Sequence, residues 1–235
     1  MTAAGPVIPN FGHGSACVTG DHLFCWDWVR DHWADTLEPH LVQHVELTVI
    51  AVGVGLVIAL PLGVVAQRTP SLRVAALGVF GAFYTIPSLA LFALLVPYTG
   101  IDTVLTAEIP LIGYNVLILV RNVVVGLDAV PRDVLDAADG MGYRPFARLL
   151  RVELPLALPA IFAGLRVATV STIGLVTITA VIGLGGFGQL INQGLQESFH
   201  SPLVVATVLS IAFALVADLP LFAGQRVALP WARQA

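Results

Sequence analysis

Three long stretches without a charged side chain constrain this chain more than any other feature of its sequence. Residues 47–67, 74–101 and 167–196, which are 21, 28 and 30 residues long, contain no Asp, Glu, Lys or Arg. A helix needs about 20 apolar residues to cross the hydrocarbon core of a bilayer. Only 11% of all residues are charged, whereas a soluble domain has about 25%. The sequence therefore predicts an all-α, polytopic integral membrane protein, and it excludes a soluble enzyme and a nucleic-acid-binding protein.

Five transmembrane helices account for the apolar segments. Pro87 and Pro97 interrupt the second of them, which is therefore either one kinked span or a span with a re-entrant piece, and a count of six spans is the alternative. The five expected spans are roughly 41–66, 74–97, 109–127, 156–182 and 203–222.

The placement of the arginines predicts how these spans are oriented. All 11 basic residues are arginine, and the loops 67–73 and 128–155 and the tail after residue 222 carry most of them. The alternate loops, 98–108 and 183–202, carry none. Because short cytoplasmic loops are enriched in basic residues, we expect the N-terminus outside and the C-terminus in the cytoplasm.

This orientation divides the chain into three parts. Residues 1–40 form an extracytoplasmic segment, residues 41–225 a transmembrane domain with a cytoplasmic loop at 128–155, and residues 226–235 a cytoplasmic tail. Part of the first segment has the apolar spacing of one helix face, typical of a helix that lies in the membrane interface and contacts lipid: Trp26, Val29, Trp33 and Leu37. Cys17 and Cys25 lie on the oxidising side of the membrane, where both a disulfide and two free thiols are open alternatives.

The loop 128–155 has the pattern of two short helices. Pro131 can begin the first, and Gly140 and Gly142 can end it. The second is expected at 143–151, with Arg144, Arg148 and Arg151 on one face and Phe146, Leu149 and Leu150 on the other. Such a helix either offers a surface to a cytoplasmic partner or rests on anionic lipid.

A string within this loop resembles the EAA signature of ABC importer permeases, which reads E-A-A-x3-G-x9-I-x-L-P. The chain differs from it by Asp for Glu at 136 and Val for Ile at 152. The residues aligned with the signature are Asp136, Ala137, Ala138, Gly142, Val152, Leu154 and Pro155, and five of these seven are identical to it.

Further strings resemble permeases for quaternary-amine osmolytes such as glycine betaine, choline and carnitine. They are TIPSLALF at 85–92, VRN at 120–122, GL at 126–127, VELPLALP at 152–159, AGLR at 163–166 and IGLGGFG at 182–188. Together the resemblance covers roughly residues 22–225. It implies the type I ABC importer permease fold and osmolyte uptake by alternating access across the bacterial cytoplasmic membrane. An importer for another small solute, such as an amino acid or another amine, is the alternative, and an ion-coupled secondary transporter is a further one.

The resemblance also implies the partners of the chain. They are a cytoplasmic ABC ATPase dimer, an extracytoplasmic substrate-binding protein, and a second permease copy or a paralogue. ATP and magnesium would be bound by the ATPase, so we expect no catalytic residue, cofactor or metal site in this chain. Gly183, Gly185 and Gly188 formally fit G-x-G-x-x-G, but they follow an apolar membrane segment and lack the preceding strand that a dinucleotide site requires.

Two sets of site residues follow. The residues expected to couple the permease to the ATPase are Asp136, Ala137, Ala138, Gly142, Tyr143, Arg144, Phe146, Arg148, Leu149, Leu154 and Pro155. Aromatic faces attract quaternary ammonium groups, and candidates for the substrate pathway are Phe83, Tyr84, Ser88, Tyr114, Asn115, Ser171, Thr172 and Thr177.

Charged residues and glycines inside the spans have structural interpretations. Arg121 is expected to pair with Asp128 or an acidic loop residue, and Arg166 with Asp218. Gly53 and Gly55 are expected to allow close helix packing.

Overall fold

The computed structural model describes residues 17, 22–197 and 199–229, and every regular element within these residues is helical. Arg233, one of the arginines in the tail after residue 222, lies outside this described part. The α-helices are α1 (Trp26–Asp31), α2 (Glu38–Arg68), α3 (Pro70–Thr85), α4 (Ser88–Thr99), α5 (Val104–Asp128), α6 (Arg132–Gly140), α7 (Pro145–Arg148), α8 (Leu154–Ile178), α9 (Phe187–Gln196) and α10 (His200–Ala228). Wide π-helical turns occupy Trp33–Leu37 and Leu149–Glu153, and a 3-10 turn occupies Thr179–Ile182.

Four helical stretches are long and apolar enough to cross a membrane: Trp33–Arg68, Val104–Asp128, Pro145–Ile182 and His200–Ala228. Helices α3 and α4 make a fifth candidate together, although they meet at an angle of 95°. Five spans are therefore confirmed when the bent pair counts as one, and the described ranges contain no sixth helix of this kind.

Pro87 causes the bend between α3 and α4, whereas Pro97 does not interrupt its helix. Ile86 is extended, with φ −69° and ψ 127°, because a residue that precedes proline is disfavoured in the α region. Pro97 lies inside α4. The expectation that both prolines interrupt the span is correct only for Pro87.

The second half of the loop 128–155 is continuous with the fourth span. The helix that begins at Pro145 runs on through the wide turn at Leu149–Glu153 to Ile182. The predicted break between a helix at 143–151 and a span from 156 is therefore wrong. Residues 146–154 contain neither glycine nor proline, so no residue there ends the helix.

The N-terminal helical face was predicted incorrectly. Val29 and Leu37 are buried, but Trp26 and Trp33 are exposed, and the buried tryptophan is Trp28. The wide turn at Trp33–Leu37 interrupts the 3.6-residue period on which the prediction relied.

The described chain forms two compact units, each with its own core. One contains the residues up to 49 together with 88–108 and 173–215, and the other contains 50–87, 109–172 and the residues from 216 onward. In the first unit a core of Cys25, Trp28, Leu37, Phe187, Leu190 and Val205 joins α1 to α9 and α10.

Glycines allow close helix contacts in the second unit. A Cβ on Gly55 would lie 2.9 Å from the Cβ of Asn115, and a Cβ on Gly63 would lie 2.6 Å from that of Val123, so α2 approaches α5 closely. Gly53 has no neighbour within 4 Å. The packing role predicted for Gly55 is confirmed, and that for Gly53 is wrong.

Candidate coupling loop and transport pathway

Gly142 forms the turn of the loop 128–155, which we call the coupling loop, as its sequence position predicts. After α6, the Met141 N–H donates to Ala137 O at 3.0 Å and the Tyr143 N–H donates to Ala138 O at 3.1 Å. Gly142 has φ +81°, a left-handed conformation that glycine adopts at little cost. The turn therefore depends on a residue without a side chain.

The predicted coupling residues divide into an exposed set and an inward-facing set. Ala138 and Leu149 are buried, with exposed fractions of 1% and 8%, and Tyr143, Arg148, Leu154 and Pro155 are half-buried. The exposed members are Asp136, Ala137, Gly142, Arg144 and Phe146.

Sequence reasoning missed Met141 on this exposed surface, and it placed Leu150 on the apolar helix face without including it among the coupling residues. Met141 is 70% exposed, as is Phe146, and Leu150 is 48% exposed. The placement of Met141 between Gly140 and Gly142 at a helix end was the available signal. We call Met141, Phe146 and Leu150 the apolar patch of the coupling loop; large exposed apolar groups of this kind mark interaction surfaces when they are contiguous.

The three loop arginines do not share one face. Arg144 and Arg151 are exposed, but the Arg148 Nε donates to Glu153 Oε1 at 2.9 Å, and its Nη1 donates to the Asp139 carboxylate. The predicted grouping is wrong because α7 is only four residues long and the wide turn that follows changes the side-chain spacing.

Both ends of the loop contact the last residues of α2. At the start of the loop, Asp128 accepts hydrogen bonds from Gln67 Nε2 at 3.3 Å and from Arg73 Nη1 at 2.8 Å. At its end, Glu153 pairs with Arg68 at 3.5 Å. Asp128 is thus already paired without Arg121, which is exposed and has no ion pair with any described residue, so the predicted Arg121–Asp128 pair is wrong.

The predicted pair between Arg166 and Asp218 is confirmed. The guanidinium contacts the carboxylate through two hydrogen bonds of 2.6 Å each, from Nε and Nη2. A bidentate pair satisfies both charges within the apolar segments and joins α8 to α10. Its role is structural.

The pathway candidates fall into separate groups. Phe83, Tyr84 and Tyr114 form an aromatic cluster, with ring centroids 5.7 Å and 5.3 Å from Tyr114, whose hydroxyl donates to Ile86 O at 2.9 Å. Thr172 Oγ1 donates to Asn115 Oδ1 at 2.9 Å.

The remaining pathway candidates are not part of these groups. Ser171 is half-buried on α8, next to Thr172. Ser88 and Thr177 belong to the other compact unit, where Thr177 donates to Gly174 O at 2.7 Å within its own helix. The structure thus gathers an aromatic cluster and one polar pair, and it leaves Ser88 and Thr177 outside both.

The glycine-rich segment 183–188 is held by residues that the sequence did not single out. Gln43 Oε1 accepts from the Gly186 N–H at 2.8 Å, and His40 Nε2 lies 3.0 Å from Gln189 Oε1. A Cβ on Gly186 would lie 2.6 Å from that of His44. The segment follows a 3-10 turn and not a strand.

Cys17 and Cys25 are joined by a disulfide in the structure, with Cα atoms 5.8 Å apart. Nearby, Ser201 Oγ donates to His22 O at 2.7 Å. The disulfide lies within the N-terminal segment, and the Ser201–His22 hydrogen bond attaches this segment to α10. Within the described residues, no group of three His, Cys, Asp or Glu side chains is arranged to hold a metal ion.

The family profile described as "Binding-protein-dependent transport system inner membrane component" matches residues 52–221. The chain belongs to this family. It is therefore a multi-pass inner-membrane component of a transport system.

Relatives and solved structures agree with this assignment. The osmoprotectant import permease protein OsmW of Salmonella typhimurium is 38% identical over 180 residues, which is 75% of this chain and 84% of that protein. The glycine betaine/carnitine/choline transport system permease protein OpuCB of Bacillus subtilis is 33% identical over 188 residues, covering 80% and 86%. A chain of the inward-facing MetNI methionine ABC transporter matches with a TM-score of 0.72 at 22% identity, over 86% of this chain and 96% of that one, which shows the type I ABC importer permease fold.

Proposed function

We propose that this chain is the permease subunit of an ATP-driven importer for quaternary-amine osmolytes such as glycine betaine, choline and carnitine. The observation that carries the proposal is the coupling loop, which presents an exposed turn at Gly142 and an apolar patch beside the EAA-like string. The relatives named for osmoprotectants and for glycine betaine, carnitine and choline support the substrate class.

The proposed partners follow from the same loop. An ABC ATPase dimer binds the exposed surface formed by Asp136, Ala137, Arg144 and the apolar patch, and it supplies ATP and magnesium. An extracytoplasmic binding protein delivers the osmolyte to the outer face. A second copy of the chain, or a paralogue, completes the pathway.

Alternating access in this proposal starts at the loop. Closure of the ATPase dimer displaces the exposed turn, and because the helix from Pro145 runs without a break to Ile182, this displacement passes directly into a membrane-spanning helix. The aromatic cluster of Phe83, Tyr84 and Tyr114 supports recognition of a cationic headgroup, since Tyr84 is 47% exposed and so presents a ring outside the core.

Uptake in proteoliposomes tests the substrate class. The chain would be reconstituted with its partner ATPase and binding protein, and radiolabelled glycine betaine uptake measured with ATP inside. We expect choline and carnitine to compete and methionine or histidine not to compete. Competition by the amino acids alone would instead indicate an amino-acid importer, and uptake that needs an ion gradient but no ATP would indicate a secondary transporter.

Cysteine labelling tests the orientation, with the N-terminus outside and the C-terminus in the cytoplasm. In a background without Cys17 and Cys25, Ile101→Cys should react with a membrane-impermeant maleimide on intact cells, because residue 101 is 62% exposed in a turn. Arg144→Cys should react only after permeabilisation. Labelling of residue 144 from outside would contradict the orientation.

A further inference from the structure

Arg148 connects the two halves of the coupling loop. Its guanidinium donates to Asp139, which lies in α6, and to Glu153, which ends the wide turn leading into α8. One side chain therefore bridges the two helical segments on either side of Gly142.

Glu153 connects the same bridge to α2. Its Oε1 lies 3.5 Å from Nη2 of Arg68, the last residue of α2. The preceding residue, Gln67, donates to Asp128 at the start of the loop. The beginning and the end of the loop are thus attached to two adjacent residues at one helix end.

The burial of the side chains indicates which of these contacts contributes most to holding the loop. The side chain of Glu153 is 8% exposed and that of Arg148 is 23% exposed, whereas Arg68, Asp128 and Asp139 are 38%, 38% and 51% exposed. Exposed ion pairs contribute little, but loss of the partner of a buried carboxylate leaves an uncompensated charge. The Arg148–Glu153 pair therefore contributes more to holding the loop than the other contacts do.

We propose that Arg148 and Glu153 are positioning residues that keep the coupling loop in register with the end of α2, so that a displaced loop moves α2 as well as α8. The proposal rests on the proposed function, in which the loop binds the ATPase. Arg148 acts here through its bridge and not by contact with the ATPase, since its guanidinium is directed to Asp139 and Glu153. A lysine has no planar fork and cannot hold both carboxylates in the same way.

The test compares Arg148→Ala, Arg148→Lys and Glu153→Gln with Arg151→Ala as the matched control. Arg151 is exposed and has no ion pair with any residue in the described part of the chain. Co-purification of the ATPase, ATP hydrolysis and glycine betaine uptake would be measured on the reconstituted complex. We expect the ATPase to remain associated, while the ATP consumed per osmolyte transported rises about tenfold in Arg148→Ala and Glu153→Gln, and less in Arg148→Lys. Arg151→Ala should equal wild type.

A double-mutant cycle adds a readout that general destabilisation would not give. Arg148→Ala combined with Glu153→Ala should be less impaired than the sum of the two single changes, because both remove the contact that the two residues share. If Arg148→Ala does not accumulate in membranes, the test uses Glu153→Gln instead, because this change keeps the size of the side chain.

Gly142→Val separates failure of this proposal from failure of the proposed function. Wild-type ATP consumption per osmolyte in Arg148→Ala and Glu153→Gln, with uptake lost in Gly142→Val, would overturn the positioning role and leave the coupling loop in place. Loss of ATPase association in Arg148→Ala to the same extent as in Gly142→Val would also overturn it, because Arg148 would then be a docking residue. Wild-type uptake in all three variants would contradict the coupling role of the loop, whereas absence of ATP-dependent glycine betaine uptake by the unaltered complex would contradict the proposed function itself.

Discussion

The coupling loop and the glycine-rich segment 183–188 both turn on glycines in the left-handed region, but their surroundings differ. Gly186 has φ +51°, and a Cβ there would lie 2.5 Å from His40 O. Gly142 has φ +81°, and a Cβ there would meet nothing within 4 Å. At Gly186 both the backbone conformation and the packing require glycine, whereas at Gly142 only the backbone conformation does. The enclosed turn at Gly186 therefore has a structural role, whereas the open turn at Gly142 leaves its surface accessible to a partner.

The polar contacts of the two regions differ in the same sense. Around the glycine-rich segment the hydrogen bonds come from the uncharged amide side chains of Gln43 and Gln189. At the base of the coupling loop they come from the charged pairs of Arg73 with Asp128 and of Arg68 with Glu153. We therefore expect salt to weaken contacts at the coupling loop and to leave those at the glycine-rich segment unchanged.

The largest effect is expected for Gly186→Ala. The new Cβ would contact backbone atoms that cannot rotate away, and the residue would be held in a strained conformation, so the loss of stability should be about 3 kcal/mol or more. Size-exclusion chromatography and thermal unfolding in detergent would measure it. Gly53→Ala, which has open space around it, should behave like wild type, and equal behaviour of the two variants would contradict the enclosed turn.

Removal of the disulfide comes next. Cys17 and Cys25 are eight residues apart, and a loop of this size contributes about 2–3 kcal/mol. The double Cys→Ser variant should therefore unfold at a lower temperature.

Mass spectrometry checks the pairing of Cys17 with Cys25: alkylation under denaturing conditions should add no mass before reduction and two alkyl groups after it. Two groups without reduction would show free thiols.

A smaller effect is expected for Gln43→Leu. This change leaves the buried Gly186 N–H without its acceptor, which should cost about 1–2 kcal/mol. Because the lost contact is neutral, the difference from wild type in the unfolding temperature should be the same at low and at high salt. A difference that disappears in salt would contradict the contrast between the two regions.

The smallest effect is expected for Arg73→Ala. Its pair with Asp128 is exposed, at 40% and 38%, so its loss should cost about 0.5 kcal/mol or less, and only at low ionic strength. Unfolding curves at two salt concentrations measure this. Arg132→Ala, on an exposed residue that has no ion pair within the described ranges, is the control and should show no salt-dependent change.

The sequence predicted those parts of the fold that depend on local chemistry. Charge-free stretches predicted the spans, Pro87 the bend, Gly142 the left-handed turn, and the isolated charges Arg166 and Asp218 their pairing. Each of these features follows from the free-energy cost of placing one residue or one segment in an unsuitable environment or conformation.

The sequence did not predict features that depend on side-chain direction after an irregular turn. The contact of Arg148 with Glu153 spans the wide turn at Leu149–Glu153, for which the residue pattern contains no signal. A second wide turn, at Trp33–Leu37, likewise changes the helical register between α1 and Leu37. Helical periodicity fails wherever the helix changes its number of residues per turn.

The central claim is that the cytoplasmic loop couples ATP hydrolysis to transport, and Gly142→Val tests it most directly. A β-branched residue disfavours the left-handed conformation strongly and should tilt α7 with the apolar patch, while the open surroundings and the position outside the hydrocarbon core let the protein accumulate normally in membranes. Co-purification with the partner ATPase and ATP-dependent glycine betaine uptake in proteoliposomes are measured together, with Gly53→Ala as the control. The account predicts that the valine variant is abundant but loses both ATPase association and uptake, whereas wild-type values for both would contradict it.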